Sequence, residues 1–174
     1  ITDEKVIGRV LVQILSGTLL EDLQVYYSTP EGYIAYIRML SSSAGIDELV
    51  SPLIQFYEDR LEKIKTRVAG LPRPRVFCAL SHPLLPLYPD KMEVALADRA
   101  GGDVLNRKIS YQEDQPSSFS REDFIAISPE VIICTGMGKS RIEDFIQICQ
   151  ELDITAPALE TGRVYGLIPG HTLT

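Results

Sequence analysis

The chain is predicted to be an α/β protein: a three-layer lobe around a mainly parallel sheet, preceded by a long helix and a small, mostly helical N-terminal segment. Two observations carry this. First, Arg75–Leu80 (RVFCAL) and Val131–Cys134 (VIIC) are short continuous apolar runs, the pattern of strands buried on both faces. Second, these runs alternate with amphipathic helical segments, as parallel sheets require for their crossovers.

In chain order, Glu4 to about Leu20 places Val6, Ile7, Val10, Leu11, Ile14 and Leu15 at helical spacing, with Thr2 or Asp3 as cap. Gln24–Tyr27 is β-like, and Thr29-Pro30-Glu31-Gly32 marks a turn. Tyr33–Leu40 reads as a short helix ended by Ser41–Gly45. The strongest helix signal runs from Ser51 as N-cap, with Pro52 as first helical residue, to Val68. Its apolar stripe is Leu53, Ile54, Tyr57, Leu61, Ile64 and Val68, and Gly70, Pro72 and Pro74 end it. After the RVFCAL strand, Asp90 and Glu93 form a capping-box-like pair for a helix carrying Met92, Ala95, Leu96 and Ala100. Gly101-Gly102 closes it before a second short strand at Val104-Leu105. A loop fills Ser110–Phe119, then Ser120 and Asp123 cap a helix through Ile127. Beyond the VIIC strand, Ser140 and Glu143 cap a helix with stripe Ile142, Phe145, Ile146, Cys149 and Leu152. A helical turn at Ala156–Glu160 leads to a last strand, Arg163–Ile168. The expected division is residues 1–50, the long helix at 51–71, and a Rossmann-like lobe at 72–174.

Composition narrows the function. The 174 residues carry 24 acidic against 17 basic side chains, a net charge of −7. That balance opposes a nucleic-acid groove, which works by displacing counterions with basic residues. No apolar run approaches the roughly 20 residues that span a bilayer. The chain begins at Ile1 rather than Met, so residues are expected to precede it, and no signal-peptide pattern is visible. The three cysteines, Cys78, Cys134 and Cys149, lie in apolar runs without C-x-x-C spacing and read as buried free thiols.

Ligands of open α/β sheets bind beyond the carboxyl ends of the strands. Three segments fall there: Ser81-His82-Pro83 with the following Leu84–Pro89, Thr135-Gly136-Met137-Gly138, and Pro169-Gly170-His171. The candidate ligand-binding residues are therefore His82, Tyr88, Thr135, Gly136, Met137 and His171. Both histidines of the chain follow strands, where imidazoles can meet a metal centre or an anion. Tyr88 offers an aromatic face and a hydroxyl. The strand–Gly138-Lys139-Ser140–helix string imitates a phosphate-binding loop, but the first glycine that motif needs falls on Ile133, inside the strand. No nucleophile, base and oxyanion site converge, so no catalytic residue, metal site or cofactor is assigned.

From Ser51 onward the order of elements resembles the second half of class III substrate-binding proteins of ABC importers, which take up siderophores, haem, cobalamin and some metals. The stretches that carry this are Tyr57-Glu58-Asp59-Arg60-Leu61 in the long helix and Ala97-Asp98-Arg99-Ala100-Gly101-Gly102 before Val104-Leu105, with Asp103 and Asn106 nearby. To these add Ser120-Arg121-Glu122-Asp123-Phe124 with Ile127–Ile133, and Leu159–Tyr165. The resemblance implies a C-terminal lobe plus a rigid connecting helix, with residues 1–50 as a possible remnant of a first lobe that is otherwise missing. It implies an extracytoplasmic, non-catalytic protein that binds an iron chelate, haem or corrinoid in a cleft between lobes. It also implies that Glu122, at the start of its helix, docks on arginines of the membrane permease. Two alternatives stand beside it. One is a Rossmann-like or P-loop-like enzyme domain holding a phosphorylated ligand at Gly136–Ser140. The other is a homodimer of the isolated lobe, paired through the stripe of the long helix.

Overall fold

The computed structural model describes residues 28–111, 119–135 and 142–167. The expected N-terminal helix, the β-like Gln24–Tyr27 and the Ser140 cap lie outside the described residues. The described residues fall into two compact units, one within 1–69 and 90–99, the other within 70–89 and 100–174.

In the first unit, helix α1 spans Pro30–Ala44. Thr29 is its N-cap, accepting a hydrogen bond from the Gly32 N–H at 3.0 Å, with Pro30 in the first helical position. The Thr-Pro-Glu-Gly string is thus a helix start and not a turn: the residues that favour a turn are also those that favour a capped first helical turn. The serines at 41–43 stay helical. Ser41 and Ser43 donate their hydroxyls back to the Arg38 and Met39 carbonyls, both at 2.9 Å, so they do not compete for the backbone. The helix stops at Gly45, whose φ of 69° suits a residue without a Cβ.

Helix α2 spans Asp47–Val68, 22 residues and about 33 Å. It begins four residues before the expected Ser51, and Pro52 lies inside it. Acidic Asp47 and Glu48 favour the positive end of the helix. The Asp47 carboxylate also accepts from the Ser42 hydroxyl at 2.8 Å. Of the expected stripe, only Ile54 is buried. Tyr57, Leu61 and Val68 are half-buried. Leu53 and Ile64 turn to another face, where with Leu49 and Phe56 they stay exposed. At about 100° per residue these four share an arc of about 80°. Helix α3, Met92–Arg99, buries Val94, Ala95 and Ala97, and Arg99 pairs with Glu31 at 2.8 Å.

The second unit is built on four parallel strands: β1 (Arg75–Ala79), β2 (Asp103–Val104), β3 (Val131–Thr135) and β4 (Val164–Leu167). Their order in the sheet is β2-β1-β3-β4. A 3-10 turn, Leu105–Lys108, follows β2. Helices α4 (Arg121–Ile127), α5 (Ile142–Glu151) and α6 (Pro157–Glu160) complete the unit. The expected capping box at the start of α4 is present: the Ser120 hydroxyl accepts from the Asp123 N–H at 3.1 Å, and the Asp123 carboxylate accepts from the Ser120 N–H at 2.9 Å. One core joins Phe77, Phe119, Phe124, Ile132, Phe145, Cys149, Ile154, Ala158 and Val164. Phe77 stacks on Phe119 at 5.5 Å and meets Phe124 edge-on at 5.1 Å. All three cysteines are buried and outside any disulfide, as expected. Burial pushes the Cys134 thiol up to about 12 and the Cys149 thiol up to about 11. Gly166 keeps β4 close to α5, since a Cβ there would sit 3.3 Å from Ile142 Cγ1.

Asn106 ties the sheet to its loops. β2 pairs with β1 only at Arg75 and Val76. Two residues further along β1, the Asn106 side chain takes over. Its Oδ1 accepts from the Cys78 N–H at 2.8 Å, and its Nδ2 donates to the carbonyls of Cys78 at 2.7 Å and Leu87 at 2.8 Å. Asn106 is fully buried, so its removal leaves several buried backbone groups without that partner. Asn106→Ala is expected to lower the unfolding free energy by about 2–5 kcal/mol. Urea unfolding followed by circular dichroism measures this, and a loss under about 1 kcal/mol contradicts the role given to Asn106.

Candidate functional site

The order β2-β1-β3-β4 places the reversal of strand order between β1 and β3, because the chain leaves β1 outward to β2 and then returns to the other side. Open parallel sheets have a crevice at such a point. The register fixes which chain ends meet there. Ala79 is opposite Cys134, and Thr135 is opposite Leu167. The segments that begin after Ala79, Thr135 and Leu167 therefore leave neighbouring strands at one edge of the sheet.

The segment after β1 is the best defined. It folds back on the strand, with a bridge between Ala79 and Pro86. The Leu80 N–H donates to the Leu85 carbonyl at 2.9 Å, the Leu85 N–H to the His82 carbonyl at 3.0 Å, and the Leu87 N–H to the Cys78 carbonyl at 3.0 Å. Within this turn the Leu84 N–H donates to His82 Nδ1 at 3.1 Å. The neutral imidazole thus carries its proton on Nε2, the nitrogen not committed to the turn. The ring is half-buried.

Tyr88 is 44% exposed, so it is not tucked beneath the loop. Its ring lies against Tyr111, centroids 5.0 Å apart and planes at 38°. The Tyr111 hydroxyl donates to the Leu87 carbonyl at 2.7 Å, the same oxygen that Asn106 reaches. Burial is the main cause that pushes the Tyr111 phenol up to about 12, since it disfavours the phenolate. Thr135 is buried at the end of β3. Gly136, Met137, Lys139 and His171 lie outside the described residues. The structure thus brings His82, Tyr88 and Thr135 to strand ends at one edge, and beside them Asn106 and Tyr111, to which the sequence alone assigns no site role, hold the Leu87 carbonyl. A signal existed for Asn106: an amide just past a two-residue strand has no ladder of its own to join.

Glu122 is in the first turn of α4, its side chain 75% exposed. Its own backbone N–H and the Arg121 guanidinium hold its carboxyl below the usual carboxylate range. Arg121 is itself fixed, donating to the Leu152 carbonyl at 2.7 Å and the Asp153 carbonyl at 2.9 Å. The Ser120 N–H and hydroxyl likewise hold Asp123 low. A cavity of about 350 Å³ opens beside this helix, lined by Lys108, Ile109, Ser110, Phe119, Asp123, Ala126 and Ile127. Among the described residues, no cluster of three His, Cys, Asp or Glu side chains is placed to hold a metal ion.

The class of protein with this fold is defined by solved structures. An ABC transporter substrate-binding protein from Listeria monocytogenes matches with a TM-score of 0.64 at 19% identity, over 81% of this chain and 56% of its own. IsdE of Staphylococcus aureus, solved in complex with haem, matches with a TM-score of 0.62 at 20% identity, over 82% of this chain and 57% of its own. The vitamin B12 binding protein BtuF of Vibrio cholerae matches with a TM-score of 0.60 at 19% identity, over 80% of this chain and 52% of its own. The chain thus has the fold of part of an ABC-importer substrate-binding protein, as its sequence motifs imply, and spans about half the length of these structures. No protein-family model and no curated protein sequence matches it.

The pH dependence of this region follows from Tyr111. A phenol raised in the folded state contributes stability that is complete below its ordinary 10.0 and is lost as pH climbs through about 12. Absorbance at 295 nm should show a tyrosine ionising near pH 12 in the folded protein. Tyr111→Phe should abolish that step and cost about 1 kcal/mol at neutral pH. An unchanged titration contradicts the assignment.

Proposed function

We propose that this chain supplies the C-terminal lobe, residues 72–174, and the connecting helix of an ABC-importer substrate-binding protein. It acts outside the cytoplasm and performs no catalysis. One wall of a ligand cleft lies where β1, β3 and β4 end, and His82, Tyr88, Thr135, Gly136, Met137 and His171 contribute to it. The ligand is an iron chelate, haem or corrinoid. The observation that carries this reading is the convergence of three parallel strand ends at the topological reversal, in a fold shared with binding proteins. Glu122 presents an ionised carboxylate on a surface helix and is proposed to contact arginines of the permease. Among the described residues no helix is long and apolar enough to cross a membrane.

Titration of the chain with ferric protoporphyrin IX, cyanocobalamin, a ferric tris-catecholate and nickel(II)–histidine tests the reading. One wall provides part of the contacts of a complete cleft, so a Kd of about 1–100 μM is expected for at least one of the four, weaker than a complete clamp gives. Absence of binding to all four overturns it.

A second reading rests on the exposed face of α2. Leu49 and Phe56 are 69% and 51% exposed, and Leu53 and Ile64 continue the row. Monomers seldom leave such a row bare, and a second copy would bury it. The pairing face is then this row and not the stripe centred on Ile54. Sedimentation equilibrium should show a dimer that Phe56→Glu converts to monomer. A monomer at every concentration refutes this reading.

A further inference from the structure

The loop after β1 carries an unusual investment in one carbonyl oxygen. Leu87 C=O accepts from the Asn106 amide at 2.8 Å and from the Tyr111 hydroxyl at 2.7 Å. Both of its lone-pair directions are thereby used. Asn106 is fully buried, and Leu87 is itself buried at 7%. The residue that follows this clamped peptide is Tyr88, whose ring is also braced from the side by the ring of Tyr111. A side chain left 44% exposed ordinarily keeps its rotamer freedom. Here the backbone is locked by two hydrogen bonds, and one flank of the ring is occupied. The arrangement holds an aromatic surface in a single pose, so little entropy remains to be lost when something lies on it.

We infer that Tyr111 and Asn106 are positioning residues that fix Tyr88 as a rigid aromatic platform, on which the flat conjugated face of a ligand stacks. The inference rests on the ligand-binding reading above and narrows it. The ligand is one with an extended planar π-system. The contact is stacking, since aromatic rings prefer offset or tilted neighbours at 4.5–7 Å. The Tyr88 hydroxyl is not required, whereas the ring is. The Tyr111 hydroxyl acts only through the Leu87 carbonyl.

Two probes separate this from a general structural effect: ferric protoporphyrin IX, which has a wide conjugated face, and nickel(II)–histidine, which has none. Tyr88→Ala should weaken porphyrin binding about tenfold and nickel–histidine binding much less. Tyr88→Phe should restore the parent affinity. Tyr111→Phe, which keeps the ring and removes one of the two hydrogen bonds of the clamp, should speed porphyrin release several-fold and nickel–histidine release much less. Urea unfolding of each variant verifies that it folds, and Tyr88→Phe and Tyr111→Phe keep the test open if Tyr88→Ala does not. Equal porphyrin affinity in Tyr88→Ala and the parent overturns the platform, as does an equal loss for both probes. Nickel–histidine binding by a parent that does not take up porphyrin overturns the platform but leaves the transport reading standing. A parent that binds neither these two probes nor the cobalamin and tris-catecholate overturns both.

Discussion

The amide of Asn106 is the contact on which the second unit turns. A parallel sheet with a two-residue edge strand has a difficulty: β1 continues past the point where β2 stops, and its Cys78 N–H and C=O face a side with no strand. Buried backbone groups without partners cost about as much as a lost hydrogen bond each. Asn106 resolves this by acting as one further residue of β2, donating and accepting through its side chain what a peptide would. Its remaining amide proton reaches Leu87, so the same residue that completes the sheet also fastens the loop that leaves it. Stability and site geometry are therefore not separable here.

The opposite edge of the sheet is closed by different means. Arg75 and Glu130 exchange two hydrogen bonds, the Arg75 N–H donating to the Glu130 side-chain carboxylate at 2.8 Å and the Glu130 N–H to the Arg75 carbonyl at 2.9 Å. Their exposed ion pair, at 3.7 Å, adds little by itself. The N-terminal edge is thus held by the chain's own connections, while the carboxyl edge is where loops begin. That asymmetry is general to parallel sheets, and it is why the search for a site narrows to one edge before any side chain is considered.

How far the sequence revealed this depends on the range of the interaction that decides each feature. The strands at Arg75 and Val131, the capping box at Ser120 and Asp123, and the helical turn before Glu160 are local patterns, and the structure has them within a residue of where they were expected. The start of α2 is not legible locally, because Ser51-Pro52 is a good cap in isolation, whereas the decisive partners of Asp47 are serines on the preceding helix. The apolar stripe of α2 was merged from two faces for a related reason: Ile54 and Leu53 are neighbours in sequence yet about 100° apart on the helix, and only contacts with α1 and α3 separate a buried face from a bare one. Of the candidate site, the position of His82 and Tyr88 after a strand is legible in the sequence. That of Tyr111 is not, since nothing in Tyr111 or its neighbours points to a carbonyl 24 positions earlier.

Proteins related to this one in fold at 19–20% identity hold chemically different ligands, haem in one and vitamin B12 in another. A shared fold therefore does not by itself specify a ligand. Selectivity must come from side chains on the loops, and only those held still can discriminate between ligands of similar size, because a mobile side chain adapts to each. In the loop after β1 the imidazole of His82 is engaged through Nδ1 in its own turn, and the ring of Tyr88 is fastened through the peptide before it. Hydrogen bonds of the protein itself thus restrain both positions, which is the condition a loop would have to meet to choose a ligand without being reshaped by it.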